Sequence, residues 1–216
     1  MTQCNAMPGV ASEKRAFTVS EDFIVDFVHK SLSFEGYTVT SEDVKAAMEK
    51  DDNSSDKKFI HIRNYKNGLL FVINLLNEGI EFDENKLKDL HELIMADLAV
   101  GGLYRNVDIS IKGSNHTPPS YIKVYDRMKK YFDTMNADSD NLDEKLAFAH
   151  LQLMKIHPFL DGNGRCARIV LNYYLIKNGR KPVIIPLERK EEYFNALEEF
   201  KVNKDIQVFV RFMNSL

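Results

Sequence analysis

The apolar positions of this chain recur at helical spacing over most of its length. Phe23, Ile24, Phe27 and Val28 fall on one face, and Thr18 with Glu21 has the form of a capping box. The pattern predicts a helix that starts there, runs to about Phe34 and stops at Gly36. A second helix is expected from Ser41 and a third over 57–78, with a charged turn over 51–56 between them. Asp83 caps a fourth, with Leu87, Leu90, Ile94 and Leu98 on one face. Pro118-Pro119 opens a helix carrying Ile122, Tyr125, Met128 and Phe132, and a polar loop covers 136–141. Helices follow over 143–156, 165–178, 188–200 and 205–213. One stretch has period two instead: Val107, Ile109 and Ile111 alternate with Asp108, Ser110 and Lys112 before a Gly113-Ser114-Asn115 turn. The expectation is an all-α fold with one small β-hairpin, forming a single domain over 18–216 behind a flexible N-terminus over 1–17.

Composition narrows the class. The 216 residues are 44% hydrophobic and 28% charged, enough for one buried core and too apolar for a disordered chain. The net charge of −3 carries no basic field, so nucleic acid is not an expected partner. Cys4 and Cys166 are remote from each other, and nothing requires an oxidising compartment. The first twenty residues hold no signal-like apolar run, and the stretch 69–76 is broken by Asn74 and too short for a bilayer. A cytoplasmic protein without a membrane partner is expected. The apolar face over 83–98 fits a homodimer contact or the monomer core equally well.

Chemistry concentrates in His157-Pro-Phe-Leu-Asp161-Gly162-Asn163-Gly164-Arg165-Cys-Ala-Arg168. Pro158 disfavours the helical region for His157, so the preceding helix ends there. The glycines allow positive φ and close approach by a ligand. A helix starting beside them presents bare N–H groups and the positive end of its dipole, which suits a phosphate. Arg165 and Arg168 share a face of its first turn, and Asp161 is a hard carboxylate suited to a phosphate-bridging metal. An imidazole, a carboxylate, an anion nest and two guanidiniums are the parts of a phosphoryl-type transfer site.

This segment resembles the signature of the Fic family, H-x-F-x-(D/E)-G-N-G-R-x-x-R, at every defined position. The segment from Tyr104-Arg105 to Pro119 is similar to that family's flap, and the likeness extends over roughly 18–214. The resemblance implies a protein adenylyltransferase that moves AMP from ATP to a Ser, Thr or Tyr hydroxyl of another protein or of itself. It implies His157 as the general base and Asp161 as the holder of Mg²⁺ or Mn²⁺. Gly162, Asn163 and Gly164 would line the anion hole, Arg165 and Arg168 would take the outer phosphates, and Asn172 falls where the family often carries asparagine. Ile109, Ser110 and Ile111 would dock the target backbone, and Phe159 would anchor the loop from below. Tyr193 belongs either to the adenine pocket or to the core. The other histidines, His29, His61, His91, His116 and His150, lack metal-ligand spacing and are read as surface or core residues, with His116 near the flap.

Ser31-Leu-Ser-Phe-Glu35-Gly36 fits the family's inhibitory pattern, (S/T)-x-x-x-E-(G/N), in the class that carries this helix at the front of the chain. The resemblance implies a pairing of Glu35 with Arg168 that puts a carboxylate where a phosphate would sit. Tyr37 departs from the asparagine that many relatives carry at that point. Two other readings stay open. One is a Fic scaffold that transfers another phosphate-containing group or removes AMP. The other is a non-catalytic module that senses ATP.

Overall fold

The computed structural model describes residues 16–49 and 55–216. Most of the expected lead-in over 1–17, Cys4 included, lies outside the described residues, as does most of the turn over 51–56. Nine α-helices occur among the described residues. They are α1 (Glu21–Phe34), α2 (Ser41–Glu49), α3 (Lys57–Glu78), α4 (Glu84–Met95), α5 (Val124–Asn136), α6 (Leu142–Ile156), α7 (Asn163–Lys177), α8 (Lys190–Asn203) and α9 (Gln207–Asn214).

Helix α7 is the axis of the molecule. Every residue from Asn163 to Leu175 is buried, the mark of a helix enclosed on all sides. α1, α3, α4 and α6 pack around it, α5 lies on α4 and α6, and α8 and α9 cover the outer side of α6. One continuous apolar cluster joins these layers, from Val28 and Leu32 of α1 through Leu69 and Leu90 to Leu153, Ile169 and Phe209. The 157–162 loop between α6 and α7 is therefore held between the two most central helices.

Local chemistry sets the helix ends. Asp83 and Asn141 cap α4 and α6 with side-chain oxygens on the backbone N–H three residues ahead. α1 is capped by Ser20, whose Oγ accepts from Phe23 N–H at 3.2 Å, and not by Thr18. Its other end is a paired closure in which Gly36 N–H donates to Ser33 O and Tyr37 N–H to Leu32 O. That closure requires the left-handed φ of +88° at Gly36, and it leaves Glu35 at the C-cap, facing the body of the protein. α4 stops at Met95, so Leu98 is not on its face as the periodicity suggested. Asn64 of α3 takes the Ala96 carbonyl at 2.6 Å and turns the chain away.

The expected β-hairpin is absent: no strand occurs among the described residues, and 104–120 is irregular chain closed by an Ile111–Ser114 turn. Period two here reports half-burial of Ile109 and Ile111 rather than pairing. The stem carbonyls of Val107 and Pro119, which a ladder would need, are taken by the Arg105 guanidinium. No helix among the described residues is long and apolar enough to cross a membrane.

Candidate active site

His157 ends α6 in a left-handed conformation, φ 52° and ψ 62°, with its N–H still bonded to Leu153 O at 2.9 Å. A non-glycine residue held there stores roughly 1–3 kcal/mol, and Pro158 removes the helical alternative. Burial pushes the imidazole down to about 4, against the nearby Met154 carbonyl, and no hydrogen bond of ordinary geometry reaches Nδ1. The ring is neutral at pH 7.

The loop that follows is fixed by groups outside its chemistry. The Asn163 amide closes on Phe159, accepting from its N–H and donating to its carbonyl, both at 2.9 Å. Phe159 stacks on His91 at 3.7 Å between ring centres, nearly parallel. Gly102 N–H donates to His91 Nδ1 at 2.9 Å, so the proton is on Nε2, which donates to Asp161 O at 3.1 Å. Burial lowers His91 to about 4, consistent with that neutral tautomer. The sequence pattern gave His91 no role beyond surface or core, because its partners lie 11 and 70 positions away.

Gly162, with φ 74°, opens α7 without a capping side chain, so the N–H groups of the first turn have no intrahelical acceptor. Over this turn lies Glu35. A Cβ placed on Gly164 would meet Glu35 Oε1 at 2.5 Å and Arg168 Nη1 at 3.1 Å. Glu35 Oε1 accepts from Arg168 Nη2 at 2.6 Å, and Ser31 receives the same guanidinium through its hydroxyl and, at 3.1 Å, its carbonyl. Ser31 also meets the buried Tyr65 hydroxyl at 2.6 Å. Arg168 is 4% exposed, with its Nε and Nη2 engaged by α1.

Arg165 is held on the other side. Nη2 donates to Asp161 Oδ2 at 2.9 Å and Nη1 to His61 Nδ1 at 3.3 Å, while its Nε is buried without a partner. Tyr37 packs on His61 at 4.2 Å and lies 5.8 Å from the Arg165 guanidinium carbon, so the residue that departs from the inhibitory pattern walls this side of the site. Burial and Arg165 hold His61 down at about 4. Burial alone would raise Asp161, but Arg165 and the Gly162 N–H outweigh it and keep the carboxylate ionised. That carboxylate is 60% exposed and belongs to no group of three metal-binding side chains among the described residues. The donor set fits a hard cation held by one carboxylate together with phosphate and water.

Two expected site residues lie beneath rather than in the site. Asn172 clamps Val183, accepting its N–H at 2.6 Å and donating to its carbonyl at 3.0 Å. Tyr193 is wholly buried, its hydroxyl 2.9 Å from His150 Nε2. Ile109, Ser110 and Ile111 stand on the irregular segment whose stem is bonded to the His157 loop. His116 is beside it, its Nε2 on Lys155 O at 3.0 Å. An open cavity of about 550 Å³ borders the stem on the Asp161 side, lined by His91, Leu103, Tyr104, Arg105, Leu160 and Asp161 among others.

These parts make a helical domain built around an uncapped helix start with an uncharged imidazole beside it. Residues 81–175 match the sequence profile of the Fic/DOC family, and the chain carries a Fic domain. It is 30% identical over 198 residues to "Protein adenylyltransferase fic-1" of Caenorhabditis elegans, covering 87% of this chain and 38% of that protein. It is 30% identical over 195 residues to "Protein adenylyltransferase Fic" of Drosophila willistoni, covering 86% and 38%. The chain thus spans about two fifths of the length of these curated relatives. A Fic-domain-containing signaling protein from Bacteroides thetaiotaomicron has the same fold, with a TM-score of 0.80 at 24% identity over 90% of this chain and 82% of that one. The Fic-1 structure from C. elegans aligns with a TM-score of 0.78 at 25% identity, over 89% and 59%.

Two outcomes are expected. Four imidazoles (His61, His91, His150 and His157) have folded values of about 3 to 4 against 6.5 when free. Below pH 6.5 the unfolded chain binds protons that the folded one refuses, so stability is intact above that value and falls as pH drops toward 4. Each of the buried rings His91 and His150, and the half-buried His157, contributes up to about 1.4 kcal/mol per pH unit. Urea unfolding at pH 7, 6 and 5 should show a loss steeper than one proton; a flat profile contradicts neutral burial. Second, Gly164→Ala should cost about 1–3 kcal/mol in the native background, where its methyl meets Glu35. Most of the cost should be lost with Glu35→Gly, which leaves only the 3.1 Å approach to Arg168 Nη1, set against a helix-propensity gain of up to about 1 kcal/mol. Equal costs in both backgrounds would mean Glu35 does not lie over the helix start.

Proposed function

We propose that this chain is a protein adenylyltransferase, transferring AMP from ATP to a hydroxyl of a protein and restrained by Glu35. The observation that carries the reading is the 157–168 segment, where a half-buried neutral imidazole precedes a bare helix N-terminus and two buried guanidiniums. The names of the curated relatives support the same activity.

In this reading ATP's phosphates lie over Gly162–Gly164, held by the first-turn N–H groups and by Arg165 and Arg168. His157 takes the proton of the target's Ser, Thr or Tyr hydroxyl. The hydroxyl oxygen bonds to the α-phosphorus, the bond to the β-phosphate's bridging oxygen breaks, and pyrophosphate leaves. General base help of this kind is worth about 10²–10⁴-fold, and a ring already neutral at pH 7 needs no prior deprotonation. Asp161 would hold Mg²⁺, which when bound neutralises phosphate charge. To serve such an ion, Asp161 would exchange its bond to Arg165, which would free that guanidinium for phosphate. The target backbone lies along Ile109, Ser110 and Ile111 as an added strand.

Glu35 supplies restraint. Its carboxylate occupies the space over Gly164 and the guanidinium of Arg168 that an outer phosphate would need. Like charges forced together in a partly desolvated cleft repel, so bound Glu35 and fully seated ATP exclude each other. Incubation with labelled ATP and Mg²⁺ should give His157-dependent self-labelling. Glu35→Gly should raise the rate about tenfold or more, equivalent to at least ~1.4 kcal/mol of competition removed. The same labelling carried out with GTP, UTP and CTP tests the donor. No label from any nucleotide, or equal label in His157→Ala, sinks the transferase reading. A rate unchanged by Glu35→Gly sinks the restraint alone.

A further inference from the structure

Arg105 is 3% exposed, and its guanidinium serves three segments at once. Nε donates to the carbonyl of His157 at 2.9 Å, Nη1 to Val107 O at 2.9 Å, and Nη2 to Pro119 O. Its own N–H donates to Pro158 O at 2.8 Å. One side chain therefore ties the backbone of the base to both stems of the 106–118 segment. The far end of that segment is pinned separately. Glu198 of α8 accepts from Ser114 Oγ at 2.8 Å and from Asn115 N–H at 2.6 Å.

We propose that Arg105 is a positioning residue that sets the distance between His157 and a target backbone docked on 109–111, with Glu198 fixing the tip. The proposal rests on the transferase reading above. Burying a guanidinium is costly, and Asp108, whose exposed carboxylate lies 3.8 Å from Nη1, offsets only part of that cost, since burial still draws Arg105 down from its ordinary value. Filling a gap in the core would be done at less cost by an apolar side chain. Joining three carbonyls from one side chain through separate nitrogens suits the rigid fork of a guanidinium, and the compact ammonium of lysine cannot span them. The His157 carbonyl belongs to the residue held in the left-handed region, so the same bond that fixes the stem also steadies the base. The segment between these anchors is thereby presented preformed, and a target avoids the entropy of ordering it.

The experiment uses the full chain in the Glu35→Gly background, with Arg105→Lys and Glu198→Gln compared. The acceptor is a second, His157→Ala chain, and labelled ATP is the donor. Hydrogen exchange over 106–120 is measured on the same proteins without nucleotide. Arg105→Lys should raise KM for the acceptor about tenfold or more while KM for ATP stays within about twofold. Exchange over 106–120 should speed up by a similar factor, with α6 unchanged. Glu198→Gln should loosen only 112–117 and raise the acceptor KM by less. Unchanged exchange in Arg105→Lys, a KM for ATP that rises in step with the acceptor's, or equal loosening of both ends by Glu198→Gln would each overturn the proposal. If the Glu35→Gly parent transfers nothing, the transferase reading fails and exchange alone decides whether Arg105 holds the segment.

Discussion

A guanidinium buried in the middle of a helical core is the constraint around which this molecule is built. Arg168 lies on the central helix, where every neighbouring position is apolar or closed. Its donors must find acceptors inside the protein, and α1 supplies them through Ser31 and Glu35. Burial draws the group toward neutrality, and the Glu35 carboxylate more than offsets that. α1 is therefore docked by charge as well as by Val28 and Leu32. Apolar packing alone would tolerate a range of seatings, whereas a bonded guanidinium specifies one. In the reading proposed here, ATP is the natural competitor of α1, because a phosphate can offer Arg168 the acceptors that Glu35 now provides.

The imidazoles show a second economy of design. His91 and His150 are held neutral, each with one nitrogen donating to a carbonyl and the other accepting. They behave as rigid two-ended connectors, His91 between the 96–103 turn and the Asp161 backbone, His150 between α7 and α8. The same burial that keeps them uncharged extends to His157, which lacks such a pair of partners. A neutral ring with unsatisfied capacity is what remains when the connectors' bonds are taken away, and it is the state a proton acceptor needs.

How far the sequence could carry the fold depends on the range of the interactions concerned. Helices were legible because their determinants are local: Asp83, Gly36 and Gly79 act within a few residues, and α3 has the limits its pattern predicts. Period two misled at 107–111 because alternation reports half-burial, and nothing in the chain says whether a pairing strand is available. The loop motif was legible as chemistry, yet Asn163 and Asn172 turn out to hold backbone, a distinction that requires Phe159 and Val183 to be seen beside them. Arg105, His61 and His91 have their key partners 52, 104 and 70 positions away. No periodicity encodes such contacts, and a lone charged or aromatic residue offers no other signal.

Control in such a site can act on the base or on the phosphates, and the electrostatics here separate the two. For His157 the dominant influence is burial, with the Met154 carbonyl, Lys201 and only then Glu35 behind it. Departure of Glu35 therefore leaves the imidazole almost as it was. For Arg168 the carboxylate is the largest influence opposing burial, and for Gly164 it is the nearest neighbour. In the reading proposed here, such a restraint would change how the donor is seated while the His157 imidazole stays neutral. Its signature is a change in nucleotide affinity and rate with no movement of the acidic limb of the pH profile, since that limb belongs to a ring whose surroundings α1 scarcely alters.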